Sequence, residues 1–125
     1  MPASKTSINE SKKVEMSNGR GVNHVLVEGE GLDNLSIQVQ EFKVGAPFGK
    51  YHLHERSDNV YFVLEGTIKS FVDGEERLLS PGDLLFIPAG AAHMTTNGGD
   101  TVARALEIYA PPPKGDTVFV DPPTA

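Results

Sequence analysis

Three histidines hold most of the chemical promise of this chain: His52 and His54, one residue apart, and His93 further on. On a β-strand, residues i and i+2 project from one face, so His52 and His54 can offer two imidazole nitrogens to a single ion. His93 stands just past the tight-turn signal Pro88-Ala89-Gly90, at the start of another strand-like run. From there a third imidazole can reach the same point across a barrel. Three neutral imidazoles suit iron, zinc, nickel, copper and manganese in varying degree. Near the pair, Asn59 occupies the place where a further ligand is expected. If it points inward, Tyr61 and Val63 share its face, and the Tyr61 hydroxyl is a candidate donor to a substrate or simply a core aromatic. Asp58 and Glu55 are the nearest carboxylates, and neither has the strand parity to join the histidines.

The elements that must carry these residues read as short strands with frequent turns. Segments 22–29 and 35–44 alternate with period two, which puts Leu35, Ile37 and Val39 on one face. Asp73-Gly74 is a hairpin turn between two strand patterns, and Ser80-Pro81-Gly82-Asp83 is a turn between two apolar runs. The run 101–110 has helical propensity but follows a string of strands, and strand is the better reading. On it Arg104 and Glu107 have opposite parity, so one at most faces in; either could bind a carboxylate or take a proton, and the favoured reading is a solvated surface residue. Phe42, Phe62, Phe71 and Phe86 read as core, and His24 as a strand-surface or interface residue. The pattern predicts an all-β sandwich or barrel. It divides into an N-terminal arm at 1–17, mobile or ordered against a partner subunit, a barrel at 18–110, and a Pro-rich tail at 111–125 holding a possible edge strand.

Composition narrows the function. The chain has 125 residues, enough for one modest core, and a formal net charge of −6. An acidic chain without a basic stripe is not expected to bind nucleic acid. With no cysteine there is no disulfide, thiolate metal site or cysteine nucleophile. No apolar stretch long enough for a membrane span and no basic-then-apolar leader is seen, so the expectation is a soluble cytoplasmic protein.

One segment carries a more specific signature. Gly82, Pro88, Gly90, His93 and Asn97 reproduce the second cupin motif without a gap, and His52, His54 and Gly66 fit the first with its longer internal spacing. The chain resembles a cupin over roughly residues 35–110. It departs from the pattern where Asn59 replaces the usual glutamate and Ala46 the opening glycine. The resemblance implies a double-stranded β-helix, or jelly-roll, barrel of two antiparallel sheets with a metal inside, and a homodimer. It implies that His52, His54 and His93 hold a divalent ion, with Fe(II) favoured and Zn, Mn, Ni or Cu as alternatives. Loss of the glutamate removes one negative charge, leaving a stronger Lewis acid and a freer coordination position for Asn59 to tune. The expected function is a metal-dependent enzyme on a small organic substrate, iron-dependent dioxygenase chemistry ahead of isomerase or cyclase chemistry. The alternative is a small-molecule-binding barrel with a vestigial or metal-assisted site.

Overall fold

The computed structural model describes residues 3–26 and 32–123. The end of the strand pattern at 22–29, beyond Leu26, lies outside the described residues. After a single 3-10 turn, Ile8–Glu10, the strands are β1 (Lys13–Met16), β2 (Arg20–Leu26), β3 (Ser36–Phe42), β4 (His52–His54) and β5 (Asp58–Glu65). They continue as β6 (Ile68–Val72), β7 (Glu75–Leu79), β8 (Leu84–Ile87), β9 (His93–Asn97), β10 (Ala103–Ala110) and β11 (Thr117–Phe119). Among the described residues there is no α-helix, and the run 101–110 is strand, as its place after a series of strands predicts. No helix here is long and apolar enough to cross a membrane.

Two antiparallel sheets face each other: β1-β2-β3-β10-β5-β8 and β11-β4-β9-β6-β7. This is the jelly-roll barrel the motif implies. Between the sheets lie Phe42, Tyr61, Val63, Ile68, Val72, Leu79, Leu85, Ile87, Ala103 and Ala105. The alternation along β5 (Asn59, Tyr61 and Val63 buried; Val60, Phe62 and Leu64 less so) is the period-two signature of a strand with one face inside.

Turn chemistry follows the sequence closely. Asp73 and Gly74 both have positive φ, 53° and 77°, the geometry of a two-residue hairpin whose twist matches the flanking strands β6 and β7. In the Ser80–Asp83 turn the Asp83 N–H donates to the Ser80 carbonyl at 2.9 Å, and the Ser80 N–H to Asp83 Oδ2 at 2.8 Å.

Two readings change. Part of the segment taken for a mobile or partner-ordered arm is ordered within its own chain, because Lys13–Met16 pairs with β2 and the Asn23 amide donates to Ser11 Oγ at 3.1 Å. Along β3 the parity holds as read: Ile37 and Val39 share one face, with Val39 fully buried, while Gln38 and Gln40 on the other face point to a buried carboxylate described below. Of the four phenylalanines read as core, only Phe42 is fully buried. Phe62 and Phe71 are half-buried, and Phe86 is 60% exposed on edge strand β8.

Candidate metal centre

Strand β4 places His52 and His54 on one face, and β9 brings His93 directly opposite His52 in the register. The three residues each offer a ligand atom within 4.8 Å of the others. Ring centroids are 5.0 Å apart for His52–His54, 4.4 Å for His52–His93 and 5.8 Å for His54–His93. The Pro88–Gly90 turn secures this arrangement, since the Gly90 N–H donates to the His54 carbonyl at 2.7 Å. Gly90 adopts φ +89°, which a side chain would resist.

Each imidazole is held by its Nδ1. His52 Nδ1–H donates to the Lys50 carbonyl at 2.7 Å and His93 Nδ1–H to the Ala91 carbonyl at 3.0 Å. His54 Nδ1 meets Thr117 Oγ1 at 3.0 Å. A carbonyl only accepts, so Nδ1 carries the proton in His52 and His93 and Nε2 is left as a free lone pair. Buried without a hydrogen-bond partner are His54 Nε2, His93 Nε2 and Asn59 Oδ1. Such atoms are costly unless something satisfies them; His93 Nε2 and Asn59 Oδ1 are acceptors, and His54 Nε2 is one in the tautomer with its proton on Nδ1, so the set fits a cation. Asn59 is fully buried and turned inward, its amide donating to the Ile108 carbonyl at 3.0 Å. Asp58 faces outward, where its Oδ1 accepts from the Ala89 N–H at 2.9 Å, and Glu55 is exposed. Neither carboxylate takes the place of the missing glutamate.

Burial pushes the His93 imidazole down to about 4, against the Ala91 carbonyl, which favours the charged ring; His52 and His54 lower it further. His54 is likewise depressed, first by burial and then by His52, with Asp116 opposing. Both rings are therefore neutral near pH 7 and ready to ligate. The same shift has a stability consequence. An unfolded histidine takes up its proton near pH 6.5 and buried His93 only near 4, so the unfolded chain binds more protons between those values. The metal-free barrel is expected to keep its full stability above pH 6.5 and to lose up to about 3 kcal/mol as pH falls toward 4. Urea midpoints measured across this window in chelator test it; a flat curve would contradict it, and His93→Gln should flatten the wild-type slope.

The barrel interior holds a second group, for which the sequence favoured a surface position over an inward one. Glu107, 1% exposed, accepts from Gln38 Nε2 at 2.7 Å and Gln40 Nε2 at 2.9 Å through Oε1, and from the Tyr109 hydroxyl at 3.0 Å through Oε2. Tyr61 lies opposite it in the register. Burial first, then Glu107, pushes both tyrosine hydroxyls well above their usual range, so they stay neutral donors. The Tyr109 ring stands edge-on to His54, centroids 5.1 Å apart, which links the carboxylate to the histidines. The signal available in sequence was the small-residue alternation Ala103, Ala105, Glu107, whose parity runs inward. Arg104, of the other parity, sits half-buried 4.0 Å from Glu65 on the rim.

Two further residues come from the tail. Strand β11 pairs with β4 of the same chain, Thr117 opposite His54 and Phe119 opposite His52. Asp116 is 1% exposed, and its Oδ2 accepts from the Arg56 N–H, the Ser57 N–H and the Ser57 hydroxyl, each at 3.1 Å. Burial pushes this carboxyl up, but the Arg56 N–H, Ser57 and His54 together hold it below the usual range. Its Oδ1 lies 3.7 Å from His54 Nδ1.

Residues 38–109, more than half of the chain, match the family described as Cupin domain. The chain belongs to the cupin family. A curated relative of this cupin, the auxin-binding protein ABP19b of Prunus persica, is 33% identical over 92 residues, covering 68% of this chain and 44% of that protein. The chain spans about half the length of the curated relatives it matches. Among solved structures, KdgF from Halomonas sp. superposes with a TM-score of 0.77 at 24% identity, covering 88% of this cupin and 94% of that chain. The polyketide cyclase RemF from Streptomyces resistomycificus gives 0.77 at 20% identity, over 96% and 88%. Matches also include proteins named as quercetin 2,3-dioxygenase from Bacillus subtilis, a predicted oxalate decarboxylase from Thermotoga maritima and the nucleoside dehydratase Pac13 from Streptomyces. Many of these names are those of enzymes, on varied small molecules.

Proposed function

We propose that this cupin is a metal-dependent enzyme that moves a proton on a small organic substrate, in the isomerase, cyclase or dehydratase class. The observation that carries the reading is the buried Glu107 carboxylate joined through Tyr109 to the face of the barrel that holds the histidines. His52, His54 and His93 would hold the ion, with Asn59 Oδ1 turned toward the same interior. A divalent ion there supplies a Lewis acid for a substrate oxygen. The chain's own residues do the rest. Tyr109, half-buried, is the reachable end of a relay: its oxygen takes a proton from the substrate while its own proton passes to Glu107 Oε2. Gln38 and Gln40 hold Glu107 Oε1 so that Oε2 stays aimed at Tyr109. The relatives named as cyclase and dehydratase support this reading by the reactions in their names.

This order reverses the expectation from sequence, which put oxygen chemistry first. Iron-dependent oxygenation is the second reading, favoured by the neutral Asn59 in place of a carboxylate. The two are separated by turnover without dioxygen. Small chelating hydroxy and keto compounds should exchange a carbon-bound hydrogen with deuterated solvent anaerobically in the presence of Zn²⁺ or Mn²⁺. Glu107→Gln should cut that exchange by about 100-fold or more while metal content holds. Turnover that requires iron and dioxygen would transfer the assignment to the second reading. Ligand-induced stabilisation without product would mark a binding protein instead. We also propose a homodimer in solution, supported by Leu84 and Phe86, 64% and 60% exposed side by side on edge strand β8.

A further inference from the structure

The ligand set described above is neutral: three imidazoles and an amide oxygen, with the usual carboxylate absent at Asn59. A negative charge is nevertheless present one residue further out. Asp116 is buried, anchored through Oδ2 by three donors from Arg56 and Ser57, and its Oδ1 has no hydrogen-bond partner. That oxygen lies 3.7 Å from His54 Nδ1, on the side of the ring away from the free Nε2. The neighbouring residue, Thr117, contacts the same Nδ1 at 3.0 Å. Thr117 opens β11 and Asp116 immediately precedes it; the strand closes against β4, and just past its end the Val120 N–H donates to the Tyr51 carbonyl at 3.1 Å.

We propose that Asp116 and Thr117 are positioning residues for His54, and that Asp116 supplies from behind the ring the charge that Asn59 withholds at the ion. The proposal rests on the metal reading of the three histidines. Thr117 Oγ1 accepts from His54 Nδ1–H and so keeps Nε2 as the lone pair facing inward. The Asp116 carboxylate then stabilises the positive charge that a metal places on the imidazole, as partners behind ligating histidines do. An unpartnered carboxylate oxygen buried beside a ring nitrogen has no other visible use, because all of the carboxylate's hydrogen bonds to the loop are made by Oδ2, and the Asp116 and Lys114 carbonyls add two more. The C-terminal strand, on this account, is a determinant of metal affinity as well as an edge of the sheet.

The test uses the full chain and Zn²⁺ alone as probe, followed by calorimetry, with the ¹⁵N resonances of the His54 ring recorded in metal-free protein. Asp116→Asn, isosteric and still able to accept from the loop, should weaken Zn²⁺ binding by about 10- to 100-fold. Thr117→Val should convert His54 from the Nδ1–H form to a mixture of tautomers. Ser57→Ala removes one of the loop's bonds to Oδ2 and spares the carboxylate, so its affinity should stay within about 3-fold of the wild type. The proposal is overturned if Asp116→Asn binds zinc as the wild type does, or if Ser57→Ala loses as much affinity as Asp116→Asn. A wild-type chain that binds no ion would refute the metal reading instead; the His54 resonances then decide the positioning claim, which fails if neither variant shifts them.

Discussion

His93→Ala is expected to lower divalent-metal affinity by well over 100-fold, more than the loss of any residue behind the ligands. The ring is 1% exposed, held by the Ala91 carbonyl, and its Nε2 has no protein partner, so its removal costs the site a ligand and the fold little hydrogen bonding. Circular dichroism should be unchanged while turnover disappears. Asn59→Glu should act in the opposite direction. An anionic oxygen replaces a neutral one beside the histidines, and affinity is expected to rise about 10-fold, or roughly 1.4 kcal/mol. The same substitution removes the donor to the Ile108 carbonyl and sets a carboxylate against it, so the metal-free variant should unfold at lower denaturant than the wild type. Zinc should then restore more stability to the variant than to the wild type. Equal zinc affinity in Asn59→Glu and wild type would show that Asn59 does not face the ion.

Gly66→Ala should be the most damaging small substitution at a turn. Gly66 sits at φ +72°, and an added Cβ would meet the Val102 carbonyl oxygen at 2.6 Å and Ala103 Cα at 2.7 Å. Both neighbours are backbone of β10 and its lead-in, so nothing can swing aside. A loss of about 3–5 kcal/mol is expected in chemical denaturation. Gly74→Ala is the matched comparison: its φ is +77°, with nothing within 4 Å of the new Cβ. There only backbone strain counts, about 1–2 kcal/mol. If the two variants lose the same stability, the close approach at Gly66 is not what fixes that residue.

The parts of the site that were legible in sequence are those set by local geometry. The i, i+2 spacing of His52 and His54 requires only that the segment be a strand, and the Pro88–Gly90 turn leads directly into the strand that starts at His93. Asn59 and Tyr61 followed by parity along β5. Glu107 was hidden because a lone carboxylate is ordinarily solvated, and its burial is tolerated only where Gln38, Gln40, Tyr61 and Tyr109 converge from three strands. Asp116 and Thr117 left no local trace at all. Their role depends on the tail crossing back, after Pro111–Pro113, to pair with a strand some sixty positions earlier, and the partners Asp116 finds there are mostly backbone N–H groups.

Asn97 closes the second motif yet touches none of the histidines through a hydrogen bond. Its amide donates to the Phe42 and Thr101 carbonyls at 2.9 and 2.8 Å, and its Oδ1 accepts from the Gly99 N–H at 2.8 Å. It staples a loop, much as Gly66 permits one. The motif is thus two inheritances written in one line of letters. A lineage kept only for its scaffold would retain Gly66 and Asn97 under the pressure to fold, while His52, His54 and His93 would drift once their chemistry was no longer needed. A descendant with the glycine and asparagine intact and the histidines gone should still fold into this barrel, so the scaffold letters trace ancestry and only the imidazoles report on work.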